Sequence, residues 1–368
     1  MKYIEDFRDP AAARALQQAI AETADGLDTI HLMEVCGTHT MAICRHGVRD
    51  LLPPNVELLS GPGCPVCVTA NAYLDQAIAY SRLPDCIITT FGDMMRVPGS
   101  TSSLDRERSR GGDVRVVYST LDALALAEKH PEKRVIFLGV GFETTAPTIA
   151  ASILEAERKG LSNYYVLCGH KTVPRALTAL VQNPALKIAG FICPAHVSVV
   201  IGASAYEFLA RDHHKACVVT GFEPLDMLEG IRRLVSQIKR GVAEVENQYD
   251  RVVRPEGNPK IQETLATVFE PVDAEWRGLG MIPGSGLQLR EEWRAFDADA
   301  NIPVDVEPTK ENKGCICGNV LQGIAKPDQC ALFGTECTPE HPVGACMVSS
   351  EGTCAAWYKY RGTYAART

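Results

Sequence analysis

The chain has 368 residues and carries 37 Lys and Arg against 45 Asp and Glu, giving a formal net charge of −8. Such an acidic balance offers phosphate backbones little to hold, so nucleic acid is not expected as a partner. Hydrophobic residues at 46% and charged residues at 22% are ordinary globular composition, and no apolar run approaches the roughly 20 residues of a membrane span. The opening MKYIEDFRDP lacks the apolar stretch of a secretory signal, which points to the cytoplasm. Fourteen cysteines are then the main oddity. A reducing compartment sustains no disulfide framework, so metal binding or thiol redox chemistry explains them better.

Four short apolar runs come first, at 29–35, 56–59, 86–90 and 114–118, each followed by turn residues and a helical pattern. Four more follow at 135–140, 164–167, 188–193 and 217–220, with helical segments such as 146–159 and 206–211 between them. Strands alternating with helices predict α/β structure with parallel sheets. VVYSTLDALALAE from Val116 and VVTGFEPLDMLEGI from Val218 both run strand, turn, Asp, amphipathic helix. This repetition predicts two similar parallel-sheet α/β domains, 1–120 and 121–230, facing each other across a cleft. After Leu225 come a long helix to about Tyr249, a Pro/Gly-rich stretch, a second helix from Lys260 and an acidic linker-like segment over 297–307. Residues 231–368 thus read as a helical, irregular third domain with a thin core that a metal centre would stabilise, and the first ~15 residues are expected to pack on it.

In parallel sheets, ligands gather at the carboxyl ends of the strands, where loops and helix N-termini present polar groups. The turns there read EVCGTHT (Glu34 to Thr40), SGPGCPVC (Ser60 to Cys67), TFGDMM (Thr90 to Met95), GVGFETT (Gly139 to Thr145), CGHKT (Cys168 to Thr172), CPAHVS (Cys193 to Ser198) and TGFEPLD (Thr220 to Asp226). Cys64 and Cys67 form a CxxC just before a helical run, where a helix N-terminus favours the thiolate. Two readings follow: a thioredoxin-like dithiol, or a soft site for iron with Cys36 as a third thiolate. Cys36 and His39 lie three residues apart and can address one ligand or proton, and His196 is similarly placed. Glu143 and Thr144 read either as caps of the helix after the fifth strand or, for Glu143, as a catalytic group. GVGFET lacks the third glycine of a dinucleotide fingerprint and GHKT the upstream glycine of a phosphate loop, so neither supports nucleotide binding.

Six cysteines crowd between Cys315 and Cys354. Cys315, Cys330, Cys337 and Cys354 are separated by fourteen, six and sixteen residues, leaving Cys317 and Cys346 over. Four spread thiolates suit a [4Fe–4S] cluster or a Cys₄ zinc site; zinc favours two close pairs and the tail offers one CxC, so the cluster is the better reading. The two spare cysteines suit a reducible dithiol.

With EVCGTHT, SGPGCPVCVT, GFETTAPT, PAHVS and the tail spacing in hand, the sequence resembles the HypD family, hydrogenase maturation factors that help build the iron dicyanide carbonyl group of nickel–iron hydrogenases. These blocks cover nearly the whole chain. The resemblance implies three domains, with Cys315, Cys330, Cys337 and Cys354 as ligands of a [4Fe–4S] cluster. It implies that Cys36, Cys64 and Cys67 handle one iron ion carrying cyanide and carbon monoxide in transit, with His39, His196 and Glu351 in support. It also implies a HypC-type small chaperone and a HypE-type donor of cyanide as thiocyanate. Ala195 in PAHVS departs from the glycine expected in many relatives.

The resulting expectation is an assembly scaffold with redox function. Its rival is an iron–sulfur-dependent thiol-disulfide reductase resembling ferredoxin:thioredoxin reductase, and a third reading is a small-molecule binding protein with a zinc-stabilised tail.

Overall fold

In the computed structural model, residues 6–365 are described, with side chains as far as Tyr360. All eight expected strands form: β1 (Ile30–Glu34), β2 (Val56–Ser60), β3 (Cys86–Thr90), β4 (Val114–Val116), β5 (Arg134–Gly139), β6 (Tyr164–Cys168), β7 (Gly190–Pro194) and β8 (Ala216–Thr220). Every residue of β3, β7 and β8 is buried, as expected of strands whose two faces are both covered by helices.

The strands make two parallel sheets, of order β2-β1-β7-β8-β9 and β4-β3-β5-β6, where β9 is Val245–Asn247. The two sheets are therefore not consecutive halves of the chain, and a boundary at residue 120 does not separate them. The first sheet is closed by pairing β1 with β7, Leu32 opposite Gly190 and Glu34 opposite Ile192, while β3 to β6 form the second sheet within that excursion. The physical reason lies in the pattern itself: strand–helix alternation is the same whichever sheet a strand joins, so it cannot name the partner.

The helix from Pro224 ends at Arg240, short of Tyr249, because Gly241 takes a left-handed conformation (φ 67°) and its N–H caps the last turn. The helix Pro10–Ala24 lies along it, burying Ile20 and Ala24 against a core that includes Met227, Leu228 and Ile231. Thus residues from Phe7 onward pack on the Pro224–Arg240 helix; the first five residues lie outside those described.

The region after Val268 holds an unexpected antiparallel hairpin, β10 (Phe269–Trp276) and β11 (Gly280–Leu289). Its Trp276 is buried, donates its indole N–H to Ser285 Oγ at 2.8 Å and stacks on Phe142 at 5.9 Å. The hairpin bridges to Thr69, just after the CxxC, and to Lys171, just after β6. The rest of the tail is irregular until the helix Thr353–Ala365, which packs against the helix Gly37–His46. Among the described residues, no helix is long and apolar enough to cross a membrane.

Candidate functional site

Cys36 is the N-cap of the helix Gly37–His46, directly after β1. Two glycines let its loop sit against the Cys64 loop: a Cβ on Gly63 would collide with the Cys36 backbone, and the Gly37 N–H donates to Gly63 O at 2.9 Å. Glu34, which sequence reading did not single out, supports the loop from below. It is fully buried, accepts from Thr40 Oγ1 at 2.6 Å and from the Cys36 N–H at 3.4 Å, and burial pushes its carboxyl up to about 7. Burial also pushes the Cys36 thiol up to about 12, and the charge of Glu351 adds to this, against the pull of the His39 and Thr38 N–H groups. A buried thiol of this kind stays protonated until a cation replaces the proton.

His39 is buried, and its Nε2 lies 3.2 and 3.1 Å from the carbonyl oxygens of Thr220 and Gly221. Two carbonyls at one nitrogen require that nitrogen to carry the proton, leaving Nδ1, which is buried without a hydrogen-bond partner, as a bare acceptor. Burial lowers the pKa of His39 to about 4, so the ring is neutral. The Phe222 ring lies between two imidazoles, 4.7 Å from His39 and 4.2 Å from His196. Phe222 was not a sequence candidate, and a lone aromatic in TGFEPLD gives no periodic signal. Glu351 raises the Cys36 thiol and pulls up the His196 imidazole, which burial otherwise lowers. Its Oε1 accepts from Thr38 Oγ1 at 2.8 Å, so the tail contributes a carboxylate to the Cys36 loop.

Cys64 and Cys67 are joined as a disulfide with Cα atoms 5.3 Å apart, around the N-terminus of the short helix Pro65–Val68. Among the described residues no three Cys, His, Asp or Glu side chains are arranged to hold a single ion. With the two sulfurs bonded to each other, Cys36 has no thiolate partners in the CxxC. Reduction would release both. The Cys67 sulfur lies 3.9 Å from the carbonyl oxygen of Ala345, so the CxxC turn packs on the turn that carries Cys346.

Glu143 and Thr144 do not cap the helix Ala146–Arg158, whose N-cap is Thr145 without a side-chain bond. Instead Glu143 Oε1 accepts the Val173 N–H at 2.9 Å and caps the helix Val173–Gln182. Its other oxygen is buried without a partner, and burial pushes the carboxyl up to about 7. Tyr206, another residue without a sequence signal, is fully buried and its hydroxyl accepts from Ser198 Oγ at 3.1 Å in the helix after β7. Ala195 is fully buried in the first turn of the helix Ala195–Ile201.

All six tail cysteines, Cys315, Cys317, Cys330, Cys337, Cys346 and Cys354, line one small cavity of about 20 Å³. The remaining wall includes Val320, Leu332, Phe333 and Met347. Cys317 and Cys346 have sulfurs 2.7 Å from each other, and they also interact with Cys315 and Cys354 respectively. A cubane binds each thiolate at a different iron, so its ligands surround a cavity and do not touch. The donor set Cys315, Cys330, Cys337 and Cys354 around an apolar cavity fits such a group, with Cys317 and Cys346 as the adjoining pair.

Comparison with known proteins gives the family. The profile of the family described as HypD, hydrogenase formation hypA family, matches residues 11–361. The chain is 47% identical to the hydrogenase maturation factor HypD of Rhodobacter capsulatus over all of both chains. It is 47% identical to HypD of Azotobacter vinelandii, covering 98% of this chain and 97% of that protein, and 45% identical to HypD of Escherichia coli, covering 98% of each. The interleaved sheets, the glycine-laced Cys36 and Cys64 loops and the six-cysteine cavity are thus those of a chain that belongs to the HypD family of hydrogenase maturation factors.

Proposed function

We propose that the protein is a scaffold and redox factor for assembly of the Fe(CN)₂CO group of nickel–iron hydrogenases, working in the cytoplasm with a HypC-type chaperone and a HypE-type cyanide donor. The observation that carries this reading is the course of one segment, 345–354. It lines the cysteine cavity through Cys346 and Cys354, packs on the CxxC through Ala345, and reaches the Cys36 loop through Glu351. Redox chemistry and iron handling are therefore neighbours.

In this account Cys315, Cys330, Cys337 and Cys354 hold a [4Fe–4S] cluster, which supplies single electrons. Cys36 binds the cargo iron, joined by Cys64 and Cys67 once their disulfide is reduced; soft thiolates suit low-spin iron carrying cyanide and carbon monoxide. The neutral His39, with its bare Nδ1, is placed to accept a hydrogen bond near the Cys36 loop, and His196 with Glu351 lines the approach. Oxidation of the adjoining Cys317 and Cys346 thiols to a disulfide releases two electrons and two protons. Cleaving the sulfur–carbon bond of a carrier thiocyanate takes up those two electrons and gives the carrier thiolate and cyanide, so the step balances.

Anaerobic purification with iron and sulfide analysis tests this reading. It predicts one cluster plus additional iron when the protein is isolated with its HypC-type partner. The Cys64–Cys67 disulfide against the Cys346 turn also favours a second reading, an iron–sulfur-dependent disulfide reductase. That reading predicts a cluster, turnover of a protein disulfide, and no additional iron.

A further inference from the structure

A cavity of about 720 Å³ opens beside the tail cysteines, with no residue of the Cys36 loop in its lining, and Cys315 and Cys317 line both it and the six-cysteine cavity. Arg277, Lys310 and Lys313 line its walls, with Glu311 the one carboxylate among the lining residues. None of the three cations has a carboxylate partner among the described residues. Arg277 instead donates to neutral groups, Thr69 O at 3.0 Å and the Asn71 side chain.

The lysines sit on a segment that is pinned in place. The Lys310 N–H donates to Ser100 Oγ at 2.7 Å, the Lys310 carbonyl accepts from Asn71 Nδ2 at 2.9 Å, and Ser100 is itself held by Asp75 at 2.6 Å. Three cations without carboxylate partners, on a segment anchored through the Lys310 backbone and on Arg277, thus line an opening to Cys315 on a chain whose formal net charge is −8. An anionic macromolecule would be repelled by most of such a surface and drawn to this mouth, which is how charge complementarity selects an orientation.

We propose that this mouth is the electron entry of the protein, docked by a small acidic one-electron carrier whose cofactor-bearing edge faces Cys315. The proposal rests on the cluster reading given above. In the step, the carrier is oxidised by one electron and the cluster reduced by one, with no proton or bond transferred. Such an entry uses no residue of the Cys36 loop, leaving that loop to the partners that handle iron.

The test uses a plant-type [2Fe–2S] ferredoxin as probe and the variant Lys310→Glu/Lys313→Glu, whose exposed side chains bear no part of the core. Calorimetric titration should show ferredoxin binding to the wild-type chain at low salt, weakening as salt is added, and weakened at least about tenfold in the variant. In anaerobic stopped flow, reduction by reduced ferredoxin should slow by a similar factor, while reduction by the methyl viologen radical cation should be as fast or faster. Ferredoxin that fails to bind the wild-type chain, or that binds and reduces the variant as well as the wild type, overturns the proposal. A wild-type protein lacking iron and sulfide would instead count against the cluster reading, and the calorimetric comparison would still decide the docking.

Discussion

Thr38 Oγ1 donates to Glu351 Oε1 at 2.8 Å across 313 residues of sequence. This bond ties the helix that begins after Cys36 to the segment between Cys346 and Cys354. Close packing accompanies it, since a Cβ on Gly37 would run into the Cβ and carbonyl oxygen of Glu351. Gly37→Ala must therefore push the tail off the Cys36 loop. Overpacking of this kind costs about 1–3 kcal/mol. The variant should show a lower denaturation midpoint and a loss of partner-dependent iron, with cluster colour retained; an unchanged midpoint and iron content would count against the contact.

The cysteine cavity makes a separate prediction. Cys330→Ala or Cys337→Ala should remove the broad visible absorbance of a thiolate-ligated cluster and leave the 310–350 region open to protease, because the four thiolates tie together segments with little apolar core of their own. Iron and sulfide contents equal to wild type in both variants would refute the ligand assignment.

Glu143 gives a pH signature. Its folded pKa is raised to about 7, so between the ordinary carboxylate range and about 7 the native state holds a proton that the unfolded chain has released. Stability is then fullest below that range, falls as pH rises through it, and levels off above about 7. Glu34, raised to about 7 by the same burial, adds to the fall. Glu143→Gln should flatten the dependence in denaturant titrations between pH 5 and 8, and a variant with the wild-type slope would contradict the assignment.

The sequence made the strands legible because strands covered on both faces are continuous apolar runs, as in VIFLG of β5. It could not show which strands share a sheet, and β1 pairing with β7 is decided by packing alone. The hairpin was hidden by GMIPGSG, whose glycines and proline read as loop while the alternating burial of Phe269 to Trp276 reads as strand only once Trp276 has a core to enter. At the site, Cys36, His39, Cys64 and Cys67 announced themselves by type and spacing. Glu34, Tyr206 and Phe222 did not, because their roles come from what the fold places beside them.

The separability of the two metal-related regions can be tested within one set of variants. Cys36, Cys64 and Cys67 lie at the ends of β1 and β2, whereas the cavity cysteines all follow residue 314. Loss of one thiolate at the iron site should cost far more than altering His39 or His196, which touch no cargo ligand directly in this account. His39→Ala should retain cluster colour and part of the bound iron; complete loss of iron would make it a ligand.

The central claim is that Cys36, Cys64 and Cys67 carry the iron group while it is built, and infrared spectroscopy of the protein purified with its HypC-type partner tests it most directly. The wild-type complex should show cyanide and carbonyl stretches, and Cys36→Ala, Cys64→Ala and Cys67→Ala should each lose them while keeping cluster colour. Bands of full intensity in the Cys64→Ala and Cys67→Ala proteins would contradict the account and leave the CxxC a structural or purely redox element.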